Sequence, residues 1–92
     1  VLENMIAKAV EMGLSPEDAH TLAVQSMRGA AALAEENNPA VLREQVTSKG
    51  GTTAAALDSL YHDNVGDAFA RAMQACSDRS FELGLNRRQF YP

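Results

Sequence analysis

Apolar residues return at steps of three and four along this chain, and no stretch alternates apolar with polar. Leu2, Met5, Ile6, Ala9 and Met12 set the pattern, with Lys8 and Glu11 on the opposite side. Such steps follow the helical period; a half-buried strand needs a period of two. The apolar share is 46%, yet it holds no Trp and only three Phe and two Tyr, so Ala, Leu, Val and Met carry it. Ala, Leu and Met favour helix. The expectation is an all-α fold of four to five helices joined by short turns, without internal repeats.

The punctuation agrees. Gly13 suits the left-handed residue that ends a first helix at Met12. Ser15-Pro16-Glu17-Asp18 then offers a cap, a proline for the first helical position, and two acids at the positive end of the dipole. That second helix is expected to reach about Glu36, with Ala19, Leu22, Ala23, Ser26, Met27, Ala30 and Leu33 inward. Asn38-Pro39 starts a third, to Thr47, with Val41, Leu42 and Val46 inward. Ser48 to Thr52 is expected to break it, and a fourth helix starts near Thr52 or Thr53 and ends about His62. After Asp63 and Asn64, a candidate cap, the last helix runs from Val65 or Gly66 to Leu83, where Gly84 stops it. Its apolar side holds Val65, Ala68, Phe69, Ala72, Met73 and Cys76.

Ninety-two residues make one domain at most, and one this short is marginal as a monomer. Oligomerisation is a usual remedy. With eight Lys+Arg against twelve Asp+Glu, the charge of −4 disfavours nucleic-acid binding and a helix-turn-helix reading. A single cysteine, Cys76, excludes an internal disulfide and a thiolate zinc site, and fits a reducing cytoplasm. No apolar run approaches the ~20 residues of a membrane span. Val1 opens directly on an amphipathic pattern, so the chain reads as a fragment that enters a helix from its middle.

The segment with chemical content is Gln45 to Thr53, Gln-Val-Thr-Ser-Lys-Gly-Gly-Thr-Thr. A turn leading into a helix leaves free N–H groups at the helix start. Gly50 and Gly51 let a ligand approach the backbone, and Ser48, Thr52 and Thr53 add hydroxyls. Together they make a receptor for a small anion, a carboxylate or a phosphate. It is not a Walker motif, because Lys49 precedes the glycines. From spacing alone, an unliganded cap and hinge between helices is the commoner outcome. His20, His62, Cys76 and the four methionines read as surface or packing residues, and the histidines are not spaced as a metal pair.

Glu44 to Leu57, Glu-Gln-Val-Thr-Ser-Lys-Gly-Gly-Thr-Thr-Ala-Ala-Ala-Leu, closely resembles the C-terminal signature of pyrroline-5-carboxylate reductases, Val-Thr/Cys-Ser-x-Gly-Gly-x-Thr. The flanks agree with that family too. Gly13 to Ala19 is similar to the turn before its Ala-rich helix, Asn38 to Arg43 to its lead-in, and Arg79 to Leu83 to the end of its final helix. The resemblance covers nearly the whole chain to Leu83.

The resemblance implies a C-terminal helical domain over residues 1–85, interleaved with a second copy in a homodimer, with a tail at 86–92. It implies an enzyme that reduces the C=N bond of pyrroline-5-carboxylate with NADPH or NADH to give L-proline, the last step of proline biosynthesis. Assembly of dimers into decamers is open. The Ser-x-Gly-Gly-x-Thr turn would hold the substrate carboxylate through Ser48, Gly50, Gly51, the Thr52 backbone and Thr53, with Val46 beside the substrate ring. Gln45 falls where the family has Asn or Gln near the nicotinamide. Two departures stand out. Lys49 replaces a common Pro, and no G-x-G-x-x-G follows a strand, so the N-terminal Rossmann domain is absent from this chain. The isolated chain is therefore expected to be inactive, and no catalytic residue is named. The alternative is a stand-alone helical oligomerisation module.

Overall fold

The computed structural model describes residues 1–49 and 51–84, and of residues 48 and 49 only the backbone. Five helices follow one another: α1 (Leu2–Glu11), α2 (Pro16–Ala34), α3 (Pro39–Lys49), α4 (Gly51–His62) and α5 (Val65–Glu82). Among the described residues there is no strand, so the all-α expectation holds. The chain divides into two compact units, Val1–Val46 and Thr47–Pro92. The tail read at 86–92 lies outside the described residues.

In the first unit, α1 packs on α2. The link between them is fixed by local chemistry. The Gly13 N–H donates to the Val10 carbonyl and the Leu14 N–H to that of Ala9, which is the paired closure of a Schellman motif. It needs a left-handed residue between them, and Gly13 sits at φ 117°. Ser15 then caps α2: its Oγ accepts from the Asp18 N–H at 3.1 Å, with Pro16 at the first helical position. At the far end, Asn37 Nδ2 donates to the Leu33 carbonyl, and Asn38 Oδ1 accepts from the Ala40 N–H at 2.8 Å to open α3.

Among the described residues, the buried ones are Ala19 and Ala23, one turn apart on α2 and 0% and 6% exposed. Around them Ile6, Ala9 and Val24 are half-buried. Leu22, Met27 and Leu33, expected inward, are exposed, as are Ser26 and Ala30. On α3 only Leu42 of the expected set is half-buried, while Val41 and Val46 are exposed. Periodicity gives each helix an apolar face, and much of these faces is exposed among the described residues.

In the second unit, α4 packs on α5. The turn between them rests on Asn64, left-handed at φ 54°, a conformation Asn tolerates. Asn64 holds the N-cap position through its backbone: its carbonyl accepts from Ala68 while its side chain makes no cap hydrogen bond. The unit has no buried residue on either helix. Thr53, Ala54 and Leu57 on α4, and Val65, Ser77 and Ser80 on α5, are half-buried. Cys76 is exposed rather than packed, because α5 turns Ser77 and Ser80 inward and its apolar stripe outward.

Candidate functional site

The break between α3 and α4 is shorter than the residue types suggest. Ser48 and Lys49 continue α3, and α4 begins at Gly51. Neither Ser nor Lys is a strong helix breaker, so the helix persists to the first glycine. Gly50 lies between the two helices and outside the described residues. Of the stretch read as a broad turn from Ser48 to Thr52, Ser48, Lys49, Gly51 and Thr52 are thus helical.

Gly51, Thr52 and Thr53 are brought together in the first turn of α4. The first turn of a helix has N–H groups without an intrahelical partner. That of α4 contains no acidic residue, whereas α2 has Glu17 and Asp18 and α5 has Asp67 in theirs. The positive end of the α4 dipole is therefore not offset by an acid in its own first turn, and it favours a carboxylate from elsewhere. Gly51 is exposed, and a Cβ placed on it would meet no atom within 4 Å. The backbone here is open to a close approach. Thr52 is exposed and Thr53 half-buried.

Gln45 and Val46 stand on the part of α3 that belongs to the first unit, and both are exposed. Ser48 follows on the last turn of α3. Among the described residues no group of three His, Cys, Asp or Glu is placed to hold a metal ion. No described helix is long and apolar enough to cross a membrane.

One surface feature was not legible as such. Val65, Ala68, Phe69 and Ala72 line an open apolar groove of about 190 Å³ along α5. The sequence showed the stripe; that it forms a groove depends on two alanines beside a phenylalanine.

Comparison with known proteins covers almost all of this. The pyrroline-5-carboxylate reductase of Corynebacterium melassecola is 45% identical over 86 residues, which span 91% of this chain and 32% of that protein. That of Haemophilus influenzae is 43% identical over 86 residues, 90% of this chain and 32% of the relative. A fungal relative, the delta-1-pyrroline-5-carboxylate reductase of Curvularia clavata, is 39% identical over 84 residues, 90% and 27% of the two chains. The chain thus spans about a third of the length of the curated relatives it matches. No solved structure matches it significantly. The family model for pyrroline-5-carboxylate reductase dimerisation matches residues 1–83, and the chain belongs to that family.

Proposed function

We propose that this chain is the dimerisation and substrate-binding part of a pyrroline-5-carboxylate reductase, which reduces pyrroline-5-carboxylate to L-proline in proline biosynthesis. The match of residues 1–83 to the dimerisation family carries the reading. The relatives hold the matched region within chains about three times as long, which disfavours a stand-alone oligomerisation module.

The start of α4 supplies the chemistry expected of such a part. Its N–H groups and the Thr53 hydroxyl would hold the substrate carboxylate, with Ser48, Gly50, Gly51 and the Thr52 backbone completing the cradle. Val46 would flank the ring, and Gln45 would approach the nicotinamide. Fixing the carboxylate fixes the orientation of the C=N bond, and orientation is a large share of the catalysis available without a general acid. The described residues include no strand, so they offer no strand-end crevice of the kind that binds a dinucleotide. NADPH or NADH is held, in this reading, by a Rossmann domain that these 92 residues do not contain.

The partner is a second copy, with the helices interleaved, and assembly of dimers into decamers would draw on apolar surface that the dimer leaves over. The net charge of −4 speaks against nucleic acid as a partner, and the single free cysteine suits the cytoplasm.

Titration with L-proline, read by amide NMR, tests the site. Gly51, Thr52 and Thr53 amides are expected to shift, and a Gly51→Ala chain to lose the response while keeping its helicity, since the added methyl meets nothing in the chain itself. Unmoved amides in an intact dimer would overturn the carboxylate assignment.

A further inference from the structure

We draw no further inference here: the strongest candidate, the open apolar groove that Val65, Ala68, Phe69 and Ala72 line along α5, carries none, because nothing in the structure shows what covers it.

Discussion

The two helical units of this chain solve the same problem differently. The α1–α2 unit is closed by backbone and caps: a Schellman turn at Gly13, a serine cap on α2, an asparagine at its end, and two buried alanines. The α4–α5 unit has a left-handed Asn64 for its turn, no buried residue, and an apolar groove that stands open. Alanines let two helices approach closely in the first unit, whereas in the second an exposed Phe69 stands beside small neighbours and lines an open groove. Both units leave large apolar side chains exposed, but among the described residues only the first buries any.

Phe69→Ala is the largest test of that contrast. If the α5 groove is covered in the dimer, the loss of a buried phenylalanine costs about 3–5 kcal/mol per chain. On a face that stays in water, the same change stays within about 0.5 kcal/mol. Denaturant unfolding at fixed protein concentration separates the two, and the small value would mean that the groove takes no part in assembly.

Ala19→Leu probes the other unit. Ala19 is 0% exposed, so an isobutyl group there must push α1 from α2, at about 1–3 kcal/mol. Hydrogen exchange should speed up over residues 2–34 first. Equal acceleration in α4 and α5 would show that the units do not open separately.

Most of the first unit was legible in the sequence because its signals are local. Ser15-Pro16 and Asn38-Pro39 start helices by rules that involve three or four neighbouring residues, and Gly13 ends one for the same reason. What could not be read was what covers a face. Leu22, Met27 and Leu33 lie on the expected stripe of α2 but remain exposed, because periodicity tells which side is apolar and not which chain meets it. The α3–α4 junction failed in another way. Ser48 and Lys49 look like turn residues beside two glycines, yet helix continues through both up to Gly50. The candidate site was legible as a motif at the start of a helix; the structure moves that start from Thr52 or Thr53 to Gly51.

The two turns give a matched pair of smaller tests. Ser15→Ala removes the hydroxyl that accepts from Asp18 and should cost about 1 kcal/mol. Asn64→Ala puts a Cβ-bearing residue without a local polar group into the left-handed region, at about 1–2 kcal/mol, while Asn64→Gly should be close to neutral. Thermal unfolding checks all three. A harmful Asn64→Gly would mean that the Asn64 side chain, and not its backbone angle, holds the α4–α5 turn.

The smallest effects should be the same in both units. Lys8–Glu11 on α1 and Arg79–Glu82 on α5 are exposed pairs three residues apart, at 3.0 and 2.8 Å. Each sits in the last turn of its helix, and each gains little, because water screens the charges and two long side chains must be held still. Glu11→Gln and Glu82→Gln should each change stability by no more than about 0.5 kcal/mol, and raised salt should shrink both. If Glu82→Gln alone proved costly, Arg79–Glu82 would have to be desolvated in the assembled protein, which would extend the covered surface of α5 from its groove to its C-terminal turn. Equal and small values leave the difference between the units where the packing puts it: in two alanines on one side and an open phenylalanine on the other.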